Sequence, residues 1–385
     1  MEDGEIKMRK LKNTIKARAV IISCILVVLF VPVIDAKPVI IGFDEKIDQS
    51  VLIEHGITNY TEYKIINAIS ADVPESVSKQ LKKNPKIKYV EEDSRVQIAD
   101  KPSKHQPPQP LQQITWGVAR VKAPDAWINS TGKNVKIAVL DTGISNSHPD
   151  LNVSGGINLI GKSKNNKWND DSGHGTHVSG IIAARNNSIG IIGIAPDAEL
   201  YAVKVLDAYG NGYISDIIEG IDWAVQNNMN VVSMSLGTRT YSQALNDATA
   251  NAYKAGILLV AAAGNNGDGN LSTDDVLYPA KFDSVIAVSA IDSNNIAPVW
   301  GADGEEVELA APGIDIYSTW LDGGYVNKSG TSMATPFVSG VAALIKSKNL
   351  SLTPQEIRSA LAYNAVDLGD TGRDRIYGFG LVQTG

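Results

Sequence analysis

The sequence predicts an α/β fold in which a doubly wound, mostly parallel sheet carries helices on both faces. Its strands are apolar runs rich in valine, isoleucine and alanine, at 136–140, 200–206, 231–236, 257–263 and 285–290. These runs lack polar alternation, which is typical of strands buried on both faces. Helical stretches separate the runs, at 174–184, 215–226 and 242–255. Strands that alternate with helices indicate parallel pairing.

Composition restricts the class of protein. The chain has 385 residues, of which 43% are hydrophobic, so it can fill a large core. The net charge is −7 and no basic block follows the N-terminal segment, which makes nucleic acid an unexpected partner. The single cysteine, Cys24, lies in an N-terminal apolar run. Disulfides therefore cannot hold the chain together, and another stabilising device is needed.

The N-terminus, residues 1–36, predicts an export signal. Basic residues precede an apolar run at 19–34, and Ala36 offers a small residue for cleavage. We therefore expect a secreted protein. Because the run is only slightly short for a bilayer span, an uncleaved anchor that holds the protein outside the cell stays open as an alternative.

Residues 37–100 predict a small α+β domain. Its strands are expected at 38–43, 64–71 and 86–93, with one helix at 74–83. The polar, proline-rich stretch 101–110 predicts an extended linker. The main domain then occupies 111–385.

Four chemically distinct groups are expected at one edge of the main sheet. Asp141 follows the strand at 136–140, Asn265 follows the strand at 257–263, and His174 opens a helix. Ser332 is expected at the start of an apolar helix, because Pro336 fits best in a first turn. Each residue alone suits a turn or a helix cap. Together they supply the carboxylate, base, amide donor and hydroxyl of acyl transfer.

Segments 141–143, 174–180, 262–265 and 330–336 resemble the signatures of the subtilisin family of serine proteases, in that family's order. The resemblance implies that Ser332 is the nucleophile, His174 the general base and Asp141 its orienting carboxylate, with Asn265 in the oxyanion hole. An inactive relative would lack one of these groups. Another class of α/β hydrolase would carry G-x-S-x-G, whereas 330–334 lacks the second glycine.

The same resemblance implies a cleft for polypeptide substrates. An extended peptide would pair as a strand between two backbone segments, which are formed by Ser235, Leu236 and Gly237 and by Gly210, Asn211 and Gly212. Ile214, Ile217 and Leu236 would line an apolar pocket for the fourth residue before the cut. Leu277 stands where well-known members carry glycine. We expect it to make the primary pocket shallow, with a preference for small or medium residues at the cut.

Calcium is the implied stabilising ion. Gln112, Asp150 and Asn187 match side-chain ligands of the family's tight site, and Ile189 and Ile191 match backbone ligands. For the acidic loop at 268–275, a solvated surface is favoured over a second, weaker site. His177 follows the family pattern and is not expected to bind metal.

Residues 37–100 resemble the family's propeptide. This implies a domain that assists folding and inhibits the enzyme until it is cut. The cut is expected near Ala99, with Val96 as the fourth residue before it, although any position at 99–110 stays open. The family is typically monomeric.

Overall fold

The computed structural model describes residues 36–98, 110–161 and 165–385. The predicted export signal, the expected cut at Ala99 and most of the proline-rich linker lie outside these residues. No helix in the described ranges has the length and hydropathy needed to cross a bilayer.

The N-terminal unit is an antiparallel sheet with two short helices. Its elements are β1 (Ala36–Phe43), α1 (Gln49–Glu54), β2 (Tyr60–Glu62), β3 (Ala68–Pro74), α2 (Glu75–Leu81) and β4 (Ile87–Glu92). The sheet has the order β2-β3-β1-β4. Neither α1 nor β2 was predicted. The strand expected at 64–71 is wrong over its first half, because the Tyr63 N–H bonds the Ala68 carbonyl and turns the chain from β2 into β3.

The main domain confirms the predicted α/β class. The described strands that precede the C-terminal region are β5 (Arg95–Ile98), β6 (Lys136–Asp141), β7 (Val153–Asn158), β8 (Glu199–Lys204), β9 (Asn211–Tyr213), β10 (Val231–Met234) and β11 (Leu236–Gly237). They are followed by β12 (Leu258–Ala262), β13 (Val285–Ile291), β14 (Val307–Pro312), β15 (Ile316–Thr319) and β16 (Tyr325–Lys328). Seven of them form a sheet of order β14-β13-β12-β10-β6-β8-β7, and every neighbouring pair in it is parallel.

Helices cover both faces of this sheet. They are α3 (Trp116–Arg120), α4 (Ala123–Ala126), α5 (His174–Ala183), α6 (Ile214–Gln226), α7 (Gln243–Lys254), α8 (Thr331–Lys348) and α9 (Pro354–Asn364). Alternate residues of β6 divide between the faces: Val139 packs in the cluster with α5 and α8, and Leu140 in the cluster with α6 and α7. A strand buried on both faces needs no polar alternation, which explains the sequence pattern.

Helix α8 begins beside Ser332 as predicted, but Pro336 does not lie where the prediction placed it. Pro336 is its sixth residue, past the first turn, so the expectation that this proline lies in the first turn is wrong. A proline there cannot donate to the carbonyl of Ser332, four residues earlier. The Ser235 hydroxyl donates to that carbonyl instead, at 2.8 Å. A side chain from the loop after β10 therefore replaces the missing helical hydrogen bond.

The N-terminal unit docks on the first turns of α6 and α7. Asp93 accepts hydrogen bonds from the backbone N–H of Ser215, at 2.8 Å, and from its hydroxyl. Glu91 accepts from the Gln243 N–H, at 3.0 Å, and from the Ser242 hydroxyl. Carboxylates satisfy the free N–H groups of a helix N-terminus and interact favourably with its dipole. Burial raises the pKa of Asp93.

Candidate active site

Asp141 and His174 form a buried pair at the carboxyl edge of the sheet. Asp141 is the last residue of β6, and His174 is the first residue of α5. Their Oδ1 and Nδ1 atoms are 2.7 Å apart, and the two residues are 0% and 1% exposed. A carboxylate on Nδ1 fixes the tautomer that leaves Nε2 able to accept a proton. The geometry therefore suits His174 as a base that Asp141 orients.

A second carboxylate, Asp170, holds this pair in place. Its Oδ1 accepts hydrogen bonds from the Thr142 hydroxyl, at 2.8 Å, and from the Gly173 N–H, at 2.9 Å. Its Oδ2 accepts from the Thr176 N–H, at 2.9 Å. Asp170 thus ties the residue after Asp141 to the first turn of α5. Sequence reasoning missed it; an aspartate shortly before a helix start is the signal that could have found it.

Ser332 lies at the start of α8, as the second helical residue. Its hydroxyl donates to the carbonyl of Ser235, at 3.0 Å. A hydroxyl donates only one hydrogen bond. The Ser332 side chain would therefore have to change rotamer before its proton could be donated to the imidazole of His174. The positive end of the α8 dipole also favours an anion beside this serine.

Asn265 is oriented as a hydrogen-bond donor. Its Oδ1 accepts from both the N–H and the hydroxyl of Thr331, each at 2.9 Å. Its Nδ2 is buried and has no hydrogen-bond partner among the described residues. A buried donor without a partner is costly and needs an explanation. An oxyanion that forms next to Ser332 would supply the partner.

The predicted substrate walls hold a segment of the chain itself. Strand β5, which was not predicted, lies antiparallel between β11 and β9. The paired Cα positions on one side are Leu236 with Ile98 and Gly237 with Gln97. On the other side they are Asn211 with Gln97, Gly212 with Val96 and Tyr213 with Arg95. Gly210 also contributes, since its carbonyl accepts from the Ile98 N–H at 3.1 Å.

Val96 packs with the three residues that were predicted to line an apolar pocket. Val96 is fully buried and belongs to the same cluster as Ile214, Ile217 and Leu236, each of which is fully buried too. Ser235, the remaining residue of the predicted wall, uses both its hydroxyl and its carbonyl on Ser332.

Leu277 packs against Gly237 and Gly264. A Cβ added to Gly237 would lie 2.9 Å from the Leu277 Cβ, and one added to Gly264 would lie 2.8 Å from the Leu277 Cγ. Gly264 also has a φ of +127°, a conformation that side chains disfavour. The leucine therefore fills space that these glycines leave open.

The five predicted calcium ligands gather around one loop. Asp150 is fully buried; its Oδ2 accepts from the Ile191 N–H, at 3.0 Å, while its Oδ1 is buried without a hydrogen-bond partner among the described residues. Gln112 Nε2 donates to the Ile191 carbonyl, at 3.2 Å, and to the Arg185 carbonyl, at 2.7 Å. Asn187 bonds the Ile189 N–H, at 3.1 Å. A buried carboxylate oxygen without a partner is the type of ligand that a hard cation such as calcium prefers.

His177 and the acidic loop at 268–275 make hydrogen bonds and ion pairs within the protein. His177 Nε2 lies 3.0 Å from the Ile316 carbonyl and 3.1 Å from that of Val326, and burial lowers its pKa to about 3. Asp268 accepts from the Asn270 N–H, at 2.8 Å, and Asp274 pairs with Lys281. Within the described ranges, no group of three or more histidine, cysteine, aspartate or glutamate residues could hold a metal ion.

The fold and these groups define a serine hydrolase with a cleft for extended peptides. Residues 132–380 match the subtilase family, and the chain belongs to that family as a subtilisin-like serine endopeptidase. It is 44% identical to subtilisin E of Bacillus subtilis over 354 residues, which are 90% of this chain and 89% of that protein.

Two further relatives have equally broad matches to this chain. The thermostable alkaline protease of Halalkalibacterium halodurans is 41% identical over 348 residues, 90% of either chain. The minor extracellular protease Epr of Bacillus subtilis is 40% identical over 356 residues, which are 90% of this chain and 54% of that protein.

Proposed function

We propose that this chain is the precursor of a secreted, calcium-stabilised endopeptidase that cuts itself free of its N-terminal unit. One observation carries the proposal. Strand β5 occupies the substrate cleft as an extended peptide would, in the register that places Val96 in the apolar pocket. Counting on from Val96 as the fourth residue before the cut puts the scissile bond after Ala99.

In the proposed mechanism, Ser332 Oγ attacks the peptide carbonyl while His174 takes the hydroxyl proton. Asp141 holds the Nδ1–H of the imidazole and stabilises its cation. The oxyanion accepts hydrogen bonds from Asn265 Nδ2 and from the backbone N–H of Ser332. His174 then gives the proton to the leaving amine. In the second half, water attacks the acyl-enzyme while His174 takes its proton, and His174 returns that proton to Ser332 Oγ as the carboxylic acid product leaves.

The N-terminal unit, residues 37–100, serves in this proposal as folding assistant and inhibitor. Asp93 and Glu91 satisfy the first turns of α6 and α7, and β5 fills the cleft. Ile40, Tyr63 and Ile66 share an apolar cluster with those helices. The unit would therefore stabilise α6 and α7 during folding and exclude substrate until it leaves. The mature enzyme, residues 111–385 with any linker that remains, would act as a monomer.

Pocket shape suggests the substrate preference. Ile214, Ile217 and Leu236 line an apolar site for the fourth residue before the cut, which favours apolar side chains there. Leu277 packs against Gly237 and Gly264, which shortens the space for the residue at the cut and favours small or medium side chains. Val96 and Ala99 satisfy both preferences within the chain itself.

Calcium would bind to Asp150, Gln112 and Asn187 and to the carbonyls of Ile189 and Ile191. It would tie the segment before α3 to the loop after α5, a role that this chain cannot give to disulfides because its only cysteine is Cys24. Secretion is supported by the predicted signal at 1–36 and by the extracellular relative, Epr.

Covalent labelling tests the proposed nucleophile. The processed enzyme would be treated with phenylmethylsulfonyl fluoride in the presence of a zinc chelator, and digested fragments would be analysed by mass spectrometry. We expect activity to fall in proportion to one adduct on the fragment that contains Ser332. Labelling of a different serine, or activity that survives full labelling of Ser332, would contradict the mechanism.

A further inference from the structure

We propose that the substrate cleft continues to a fifth subsite, centred on Tyr213, that prefers a basic residue five positions before the cut. This inference rests on the proposed function, because it counts positions from a cut after Ala99. On that count Val96 is the fourth residue and Arg95 the fifth.

The backbone ladder extends far enough to define such a position. Arg95 pairs with Tyr213 as the last Cα pair between β5 and β9. One residue further out, the carbonyl of Ser94 accepts from the Ile214 N–H, at 2.9 Å. The fifth residue is therefore flanked by hydrogen-bonded positions on both sides. A peptide bound in this register would have its fifth side chain in a defined place rather than loose in solvent.

The contacts of the Arg95 side chain indicate which kind of residue the fifth subsite binds. Successive residues of a strand point to opposite faces, so Val96 enters the core while Arg95 faces outwards. The Arg95 guanidinium lies over the ring of Tyr213, 5.9 Å from the ring centroid. The negative face of a tyrosine ring attracts a cation at this distance, and arginine is the most frequent partner.

Charge around the position favours a cation as well. Arg95 and Tyr213 line a cleft of 710 Å³ whose walls carry five carboxylates, Asp72, Asp93, Asp207, Asp216 and Glu219. The first two belong to the N-terminal unit and leave with it. The other three belong to the main domain and stay. An acidic field of this kind raises the local concentration of a positive side chain and disfavours a negative one.

A peptide series tests the subsite in the enzyme obtained from the full chain. The peptides share Val, Gln, Ile and Ala at the four positions before the cut and carry arginine, citrulline or glutamate at the fifth. Citrulline has the shape of arginine without the charge. We expect kcat/KM to be about fivefold higher with arginine than with citrulline, the size of one exposed cation–π contact helped by weak charge pairs, and lowest with glutamate.

A pair of variants assigns the preference to the ring. Tyr213→Leu keeps an apolar side chain but removes the aromatic face, and it should reduce the arginine-to-citrulline ratio to below about twofold. Tyr363→Leu changes an exposed tyrosine of α9 and should leave the ratio at its original value. Taking the ratio within each enzyme cancels differences in active concentration.

The outcomes separate the subsite from the protease function. Equal cleavage of the three peptides would overturn the fifth subsite and leave the endopeptidase intact. An arginine preference that survives Tyr213→Leu would overturn the assignment to this ring. Cleavage of none of the peptides, by enzyme whose N-terminal unit has gone, would contradict the proposed function itself.

Discussion

The Oδ1 atom of the Asn265 side chain accepts two hydrogen bonds, whereas its Nδ2 atom has no hydrogen-bond partner among the described residues. Both hydrogen bonds to Thr331 hold Oδ1, so the amide is oriented and Nδ2 is the group left to donate. In the proposed mechanism no rearrangement would be needed when charge develops on the substrate, because the donor is already in place. The residue is therefore the most direct single probe of transition-state stabilisation in this site.

Replacing Asn265 with alanine should lower kcat about 10²–10³-fold with little change in KM, a magnitude taken from the corresponding asparagine of a subtilisin. Steady-state kinetics on a peptide p-nitroanilide measures both constants. Asn270→Ala, in the exposed loop after Asn265, is the matched control and should keep both near their original values. A loss confined to KM would argue against the oxyanion role.

The second informative residue is Leu277, whose side chain occupies the space beside Gly237 and Gly264. Leu277→Gly should deepen the pocket and raise kcat/KM for peptides with phenylalanine at the cut by about tenfold, since apolar pockets discriminate by about one to three kcal/mol for small changes in volume. Paired alanine and phenylalanine substrates measure the change. Leu271→Gly, an exposed leucine of the same loop, is the control. A wild-type enzyme that already favours phenylalanine would contradict the shallow pocket.

The sequence predicted Asp141, Asn265 and Ser332 because each lies next to an apolar run that marks a strand or a helix. Asp141 and Asn265 follow apolar strands, and Ser332 precedes an apolar run. Asp170 has only the weaker signal of an aspartate before a helix start, and its full set of hydrogen bonds, to residues 142, 173 and 176, depends on the folded chain.

At the scale of elements, α8 shows how a sequence rule can give a correct position for an incorrect reason. Proline usually marks a first turn, yet Pro336 lies beyond it. The Ser235 hydroxyl compensates for the lost hydrogen bond. A contact between residues so far apart along the chain cannot be read from local pattern, although the start of the helix can.

Helix α5 carries a histidine that is buried in its neutral form. Burial, together with the ammonium group of Lys328, lowers the pKa of His177 from 6.5 to about 3. The unfolded chain binds this proton below about pH 6.5, whereas the folded chain does so only near pH 3. Stability should therefore decrease as pH falls between these values, because the unfolded state takes up more protons there.

Ser332→Ala prevents self-digestion and is the background for this measurement. As the pH is lowered from about 6 to about 4, protonation of His177 in the unfolded chain should reduce the free energy of unfolding of this variant by up to about 1.4 kcal/mol per pH unit. Adding His177→Gln should flatten the dependence, since glutamine donates to carbonyls without titrating. Denaturant unfolding at fixed calcium measures both proteins. Parallel pH profiles for the two would show that His177 does not control acid stability.

At the scale of the whole molecule, one rule brings the site together. The carboxyl ends of parallel strands share an edge, so Asp141 at the end of β6 and Asn265 after β12 lie at the same edge of the sheet although they are far apart in sequence. That rule, applied to the apolar runs, predicted the main domain and the position of its site. It could not predict β5, which exists as a strand only because β9 and β11 lie on either side of it.

Calcium should stabilise the main domain as a whole. At a free concentration of about a thousand times its Kd it would add about 4 kcal/mol, roughly 10 °C in Tm. Scanning calorimetry of Ser332→Ala with calcium and with chelator measures the difference. Asp150→Asn should remove most of it, and Asp268→Asn, which changes the exposed acidic loop, should not. An equal Tm with and without calcium would contradict the site.

The most direct test of self-processing is a time course of the purified full-length chain beside Ser332→Ala, followed on a denaturing gel with N-terminal sequencing. We predict that the wild-type chain converts to a fragment that begins at Asp100 and that Ser332→Ala stays whole. A trace of mature wild-type enzyme added to Ser332→Ala shows whether the bond is also open to cutting by another molecule. Conversion of Ser332→Ala by itself, or a folded wild-type chain that never converts, would contradict the account.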